Sequence, residues 1–360
     1  MLYPELDTPC LIVDLDVAER NLRRVQAAAD QAGVKLRPHT KTHKSAYWAR
    51  RQVELGARGI TCAKLAEAET LARAGFDDIL IAYPLIGPIK MERLAALARK
   101  VKRLIVSLDS HEVAEALAGV GSELGHPLEV YAEVDTGLHR VGRAAGDDAL
   151  AFCRSLERFP GIRLAGLMSH AGTTWKAGSE TEIRDTARRE LEILLAVKAG
   201  LGDPTLEISV GATPAAHVVG QTAGVTEMRP GTYVFGDRNL MGLGLATEAD
   251  CAARILTTVV SHPVPDRAVI DAGSKSLAMD PHRDGGHGHV VGLPHVKVAR
   301  LSEEHGVLEF DSSVSLKVGQ RLEVIPNHIC PAVNLYDRMY GVRDGEVESE
   351  IQIEGRGKNY

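Results

Sequence analysis

Short apolar runs alternate with amphipathic stretches along the first two thirds of the chain. The runs Lys35–His39, Gly59–Ala63, Asp78–Tyr83, Arg103–Leu108, Glu129–Asp135, Arg163–Ser169, Glu207–Gly211 and Glu227–Tyr233 read as buried strands. Between them, stretches such as AERNLRRVQAAADQAG and KLAEAETLARAG carry apolar residues at three- and four-residue spacing and end in glycine. That is the pattern of an amphipathic helix closed by a left-handed cap. Strand and helix alternating eight times predict an α/β domain with a parallel sheet. Eight units in about 240 residues match a (β/α)8 TIM barrel. A doubly wound open sheet is the rival; its dinucleotide-binding form is weakened because no G-x-G-x-x-G follows a strand.

The texture changes after about residue 248. ARILTTVVSH, DRAVIDAG, HVKVARLSEEHGVLEF, QRLEVIPNH and VESEIQIEG alternate in strand fashion with turn residues between them. The expected organisation is a barrel over 11–247 and a C-terminal β-domain over 248–360 that also takes in residues 1–10 as a strand. PHRDGGHGHVVGLPH, residues 281–295, reads as a Gly- and His-rich loop. It is either a solvated connection, an active-site flap or an extra metal site.

Composition narrows the function classes. The 360 residues are 44% hydrophobic and 25% charged, an ordinary globular mixture that excludes disorder and collagen. No run of about 18 apolar residues occurs, so no membrane partner is expected. The N-terminus carries acids where a signal peptide carries Lys or Arg, so a cytoplasmic location is expected. A net charge of −6 without a basic block argues against nucleic acid. Cys10, Cys62, Cys153, Cys251 and Cys330 are odd in number and lack a CxxC, so they read as reduced thiols.

In a barrel the chemistry gathers at the C-terminal strand ends. The first end, LRPHTKTHKS, places Lys41 among His39, His43 and Lys44, where neighbouring cations favour the free amine that a Schiff base needs. The fifth, EVDTGLHRVG, offers Asp135 to orient Arg140. The sixth, LMSHAGTTW, puts His170 at the mouth. The seventh and eighth, SVGATPAA and EMRPGTYVFGD, supply Gly211, Thr213, Gly231 and Thr232. These suit a phosphate site built from the last two loops, and Arg229 adds a cation for a ring nitrogen or a phosphate. A flat, phosphorylated, lysine-bound cofactor is pyridoxal 5′-phosphate.

These segments carry a family resemblance over nearly the full length. The chain resembles the pyridoxal-phosphate enzymes of the alanine-racemase barrel type, and within them the D-serine dehydratase and D-threonine aldolase group. The resemblance implies that Lys41 is the Schiff-base residue, that Arg140 approaches the phenolic oxygen and that His170 meets the pyridine ring. It makes RPGTY, with Arg229, Gly231, Thr232 and Tyr233, the phosphate and ring-nitrogen loop. PNHICPAVNLYD resembles the group's metal segment, with LSEEHG before it. Thr173, Thr174 and Trp175 stand where the group commonly has a His and an aromatic hydroxyl. The resemblance also implies a homodimer.

His328 and Cys330 are the expected metal pair. At i and i+2 on an extended segment, both side chains project to one side. Imidazole plus thiolate suits zinc first, with manganese, cobalt and magnesium as alternatives. Glu304 and His305 read as supporting or substrate-facing groups, or as a charged turn. The expected activity is metal-assisted β-elimination on a D-3-hydroxy amino acid such as D-serine or D-threonine, giving a keto acid and ammonia. The alternative is retro-aldol cleavage to glycine and an aldehyde; Cys330 favours the dehydratase, because His/Cys pairs go with dehydratases in the resembling group. An amino-acid racemase would need a second base, with Tyr336 and Tyr340 as candidates, and a non-enzymatic cofactor-binding protein would lack the β-domain.

Overall fold

The first strand, β1 (Cys10–Asp14), leads into helix α1 (Leu15–Ala32). The eight strands read from the sequence then follow as β2 (Lys35–Leu36), β3 (Ile60–Cys62), β4 (Asp78–Ile81), β5 (Arg103–Leu108), β6 (Leu128–Asp135), β8 (Ile162–Met168), β9 (Glu207–Val210) and β10 (Glu227–Met228). A two-residue β7 (Arg143–Ala144) pairs with the end of β6. The computed structural model describes residues 2–219, 223–311 and 313–360. Its residues sort into two compact units. One is Arg24–Lys41, Trp48–Gly231 and Lys358–Tyr360; the other is the stretch up to Arg23 with Thr42–Tyr47 and Thr232–Gly357.

In the first unit the strand order is β2-β10-β9-β8-β6-β5-β4-β3, with every neighbour parallel. A parallel bridge between His39 and Thr61 joins the two ends of that path, so the sheet closes into a barrel and the open-sheet alternative falls away. Right-handed strand–helix crossovers make such closure the natural outcome of repeated βα units. The intervening helices are capped as their sequences suggest. Ser110 takes the Val113 N–H at the start of α5 (His111–Leu124), and Gly125 ends it at φ 76°. Ser179 and Gly202 do the same for α7 (Glu180–Leu201). The apolar run Glu227–Tyr233 yields only a two-residue strand, because Pro230 has no N–H to donate.

The interior is packed in two ways. Leu80, Ile105, Tyr131, Ala165 and Met168 form a buried apolar cluster from four neighbouring strands. At the N-terminal strand ends the filling is charged. Fully buried Arg37 donates to Glu227 at 2.6 Å and to Asp78 at 2.6 Å. Arg103 bridges Glu129 at 2.8 Å and Glu207 at 3.2 Å, and Arg58 reaches Glu207 at 2.9 Å. Gly59 permits this packing: a Cβ there would lie 2.4 Å from the Asp78 carbonyl and 2.6 Å from the Arg37 guanidinium.

The second unit is a nine-stranded sheet of β12 (Arg267–Ile270), β15 (Gly306–Glu309), β14 (Lys297–Leu301), β13 (Gly288–Val290), β16 (Arg321–Pro326), β11 (Ala253–Val264), β1, β17 (Arg338–Arg343) and β18 (Glu346–Gln352). β12 also pairs with β11, so the first six close into a small antiparallel barrel. The strand expected in the first ten residues begins only at Cys10. Pro4 and Pro9 cannot donate to a ladder, and residues 2–9 form turns and bends instead. Part of the expected 281–295 loop is strand β13.

Removing one partner of a buried ion pair leaves a charge with nothing to balance it. Glu227→Ala should therefore cost about 3–5 kcal/mol of stability in denaturant unfolding. A loss below about 1 kcal/mol, as for an exposed pair, would refute the role given to Arg37 and Glu227.

Candidate active site

The expected cofactor residues lie where the barrel strands end. Lys41 follows β2. Buried Thr40 beside it donates to Glu67 at 2.8 Å, and Glu67 also takes the Ala63 N–H at 3.0 Å. A carboxylate at the start of α3 (Leu65–Arg73) thus fixes the segment that carries the lysine. His43, expected to act on Lys41, is buried and takes the Ser45 N–H at 3.1 Å.

His170 follows β8, and its Nδ1–H donates to the Gly211 carbonyl at 2.5 Å, leaving Nε2 as the open acceptor. Burial, then the positive charges of Lys41, Arg140 and Arg229, push the imidazole down to about 3. His170 is therefore neutral at any working pH, and these cations share its surroundings.

Arg229 is buried and held on both sides, donating to Ser209 Oγ at 2.6 Å and to the Ser169 carbonyl at 2.6 Å. A Cβ on Gly211 would lie 2.9 Å from the Arg229 backbone nitrogen, so only glycine lets the seventh and eighth loops approach so closely. Gly231 N–H donates to Thr213 Oγ1 at 3.2 Å, which ties those loops together.

One orientation differs from expectation. Asp135 accepts from the N–H groups of Gly137 and His139 at 2.9 and 3.0 Å and lies 2.8 Å from His139 Nδ1. It folds its own loop instead of steering Arg140. Glu133, two residues earlier on the same strand face, is the buried carboxylate that feels Arg229 and Arg140; burial pushes its carboxyl up and both cations oppose that.

In the second unit His328 and Cys330 do come together, but not on an extended segment. His328 caps the short helix α11 (Ile329–Val333) and Cys330 lies in its first turn. Their side chains hydrogen-bond one another. His328 Nδ1 lies 3.0 Å from Asp280 Oδ1. Burial alone would push this imidazole down; Cys330, Asp280 and Asp237 overcome it and carry it to about 11. Such an anionic surround suits a divalent cation, and the donor set is soft nitrogen and sulfur. Among the described residues no group of three or more His, Cys, Asp and Glu gathers as a closed cage. An imidazole and a thiolate alone leave coordination positions open, as a catalytic metal requires. Burial raises Cys10, Cys153 and Cys251 to about 12, as befits inert core thiols.

Three supporting residues escaped the sequence reading. Asp237 is fully buried and takes the N–H of Leu240 at 3.0 Å and of Ile329 at 3.2 Å, capping α9 (Arg238–Gly242) and α11 at once. Burial pushes its carboxyl up to about 6. Its one local signal was an acid directly before a helix. Asp280 is 48 residues from its partner His328, and nothing local marks it. Thr42 Oγ1 lies 3.2 Å from Cys330 Sγ. Thr232 Oγ1, expected on the phosphate, lies 3.8 Å from the same sulfur, and Tyr233 is buried beside it in the chain.

Other candidates resolve into structure. Glu304 and Glu303 both pair with Lys275 at 2.8 Å, and the His305 carbonyl takes the Ser302 N–H at 2.8 Å, so SEEHG is a charged turn. Tyr336 donates to the Ser276 carbonyl at 3.2 Å, and burial pushes its hydroxyl upward, away from use as a base. Tyr340 packs against the cluster of Tyr3, Leu6, Cys10, Ile12, Leu256 and Val342. Thr174 donates to the Ala171 carbonyl at 2.6 Å.

Glu190 on α7 brackets His170 from outside the barrel, taking the Ser169 hydroxyl and the Ala171 N–H. Burial pushes its carboxyl up to about 7. The folded chain then keeps a proton here that the unfolded chain releases near the ordinary glutamate value of about 4.3. Stability from this group is full below that value, falls as pH rises toward 7, and is level above it. Glu190→Gln should remove that decline, gaining up to about 3 kcal/mol over wild type at pH 8 relative to pH 4 in denaturant unfolding. Parallel pH profiles would show that Glu190 titrates normally.

The N-terminal domain model of alanine racemase matches residues 13–239, and a putative serine dehydratase domain matches residues 252–342. D-threo-3-hydroxyaspartate dehydratase of Delftia sp. is 35% identical, over 97% of this chain and 98% of its own. The crystal structure of D-threonine aldolase from Filomicrobium marinum superposes with a TM-score of 0.93 at 31% identity, covering 99% of this chain and 97% of its own. A metal-free form of a cysteine-to-alanine variant of D-threo-3-hydroxyaspartate dehydratase superposes with a TM-score of 0.90 at 33% identity, covering 96% and 97%. With one family model spanning most of the barrel and full-length relatives above 30% identity, the chain belongs to the alanine racemase N-terminal domain family, in the branch that carries the serine dehydratase domain.

Proposed function

We propose that this protein is a pyridoxal 5′-phosphate- and zinc-dependent lyase that removes water from D-3-hydroxy amino acids, giving a keto acid and ammonia. The observation that carries the reading is the His328–Cys330 pair, set among carboxylates and backed by Asp280. The dehydratase relative acts on a substrate of this class.

When bound, the cofactor supplies an electron sink for the pair left at Cα, and the metal supplies a Lewis acid for the β-hydroxyl. Lys41 anchors the cofactor through Nζ and, as a free amine, takes the Cα proton. Neutral His170 offers an uncharged flat face to the cofactor ring, its plane fixed by the bond to Gly211. Arg229 presents a cation that cannot swing away, since Ser209 and Ser169 hold it. Arg140 is the cation for the phenolic oxygen. Gly211, Thr213, Gly231, Thr232 and Tyr233 hold the phosphate, and His328 with Cys330 holds the metal. Loss of the Cα proton and the β-hydroxyl is loss of one water. The enamine so released takes up a water again and yields keto acid and ammonia.

Incubation with D-threo-3-hydroxyaspartate, D-serine, D-threonine and the L-forms should give keto acid and ammonia from the D-substrates only. Glycine and an aldehyde would transfer the assignment to retro-aldol cleavage, which the likeness to D-threonine aldolase makes the second reading. Cys330→Ala, or chelation, should lower turnover by more than about 100-fold with the cofactor's visible absorbance kept. Lys41→Ala should abolish the absorbance of the lysine-linked cofactor; its persistence would place the linkage elsewhere. We take the working unit to be a homodimer, and a single-chain mass in solution would reject that.

A further inference from the structure

The Gly- and His-rich segment after residue 280 is built around one carboxylate. Asn327, directly before His328, donates to the Asp280 carbonyl and to the Gly286 carbonyl, each at 2.8 Å. Arg238, directly after Asp237, donates to the Gly285 carbonyl at 2.9 Å and to Asn327 Oδ1 at 3.1 Å. Gly285 and Gly286 turn with φ of 71° and 73°, a left-handed path that a side chain would strain. His287 N–H closes the turn on the Val298 carbonyl at 2.9 Å. Asn327, next to the metal pair, and Arg238, next to the Asp237 that caps it, therefore clamp the loop that delivers Asp280 to His328 Nδ1.

An Asp–His pair this exposed, at 36% and 34%, contributes little to stability by itself. What the clamp secures is direction. With Nδ1–H donated to Asp280, the Nε2 lone pair is the one available to a metal, and the ring cannot turn. The sulfur is treated alike, because buried Thr42, the residue after Lys41, sets its hydroxyl 3.2 Å from Cys330 Sγ. A thiolate has no proton to give, so in the metal-bound pair the hydroxyl donates.

We infer that Asp280 and Thr42 are the positioning residues of the metal pair: Asp280 fixes the tautomer and direction of His328, and Thr42 donates to the Cys330 thiolate. This rests on the metal reading of His328 and Cys330 given above.

The test uses the full-length protein carrying its cofactor, with zinc affinity measured by competition against a chromophoric chelator. Asp280→Ala should weaken zinc about 10–100-fold, while the cofactor absorbance and the unfolding midpoint of the metal-free protein stay at wild-type values. Asp280→Asn keeps an acceptor for Nδ1–H but loses the charge, so it should fall between the two, and it decides the matter if Asp280→Ala does not fold. In the cobalt-substituted protein, Thr42→Val should move the thiolate-to-cobalt absorption to lower energy with the metal still bound, because a hydrogen bond no longer stabilises the sulfur lone pair. Zinc bound at wild-type strength by the Asp280 variants, with His328→Ala losing it, would overturn the role of Asp280 and leave the metal pair standing. An unmoved cobalt band would overturn the role of Thr42. Full zinc binding by His328→Ala would overturn the metal reading and this inference with it.

Discussion

The barrel closes over a buried guanidinium. Arg37 lies directly after β2, where the first and last strands meet, and its two carboxylate partners come from β10 and β4. No apolar side chain can tie three strands at once through directed bonds. The polar contacts continue from there toward the site. Glu227 takes the hydroxyl of Ser209 at 2.6 Å, Ser209 takes the guanidinium of Arg229, and Arg229 holds the carbonyl of Ser169, one residue before His170. Lys41, only four residues beyond Arg37, is placed by the same seam. A charge buried this deep is costly unless fully paired. The barrel meets most of that requirement: Arg37 Nε and Nη1 are bonded to carboxylates, Nη2 is buried without a partner, and the chain of bonds runs on to the residue before His170.

The second unit solves a different problem, which is to hold the His328 imidazole and the Cys330 thiol together with little helix to support them. α11 has only five residues, too few to be stable alone. Asp237 caps it from a distant part of the sequence, and the same carboxylate faces His328. Asp280 arrives from a third segment. The pair thus owes its geometry to stretches far apart in the chain.

Period and position made much of this legible. Apolar runs at strand spacing alternating with helical spacing determined the eight barrel strands, since a β/α alternation of that length has few ways to bury both kinds of face. The strand-end rule then pointed to Lys41, His170, Arg229 and the Gly–Thr loops, because strand ends can be located in the sequence itself. H-x-C marked the candidate metal pair by residue type alone.

What the sequence by itself determined, then, is the repeated strand–helix units of the barrel and the strand ends on which its candidate residues stand. Tertiary structure alone decided their partners. Asp135 turned to its own loop, where it takes the N–H groups of Gly137 and His139. Cys330 entered a helical turn because Asp237 offered a cap. Glu190, Asp280 and Thr42 gained their roles only through contacts 21, 48 and 288 residues away in sequence. Periodicity reports which face a residue takes within its own element; a hydrogen bond across such separations depends on how elements pack, which no local pattern encodes.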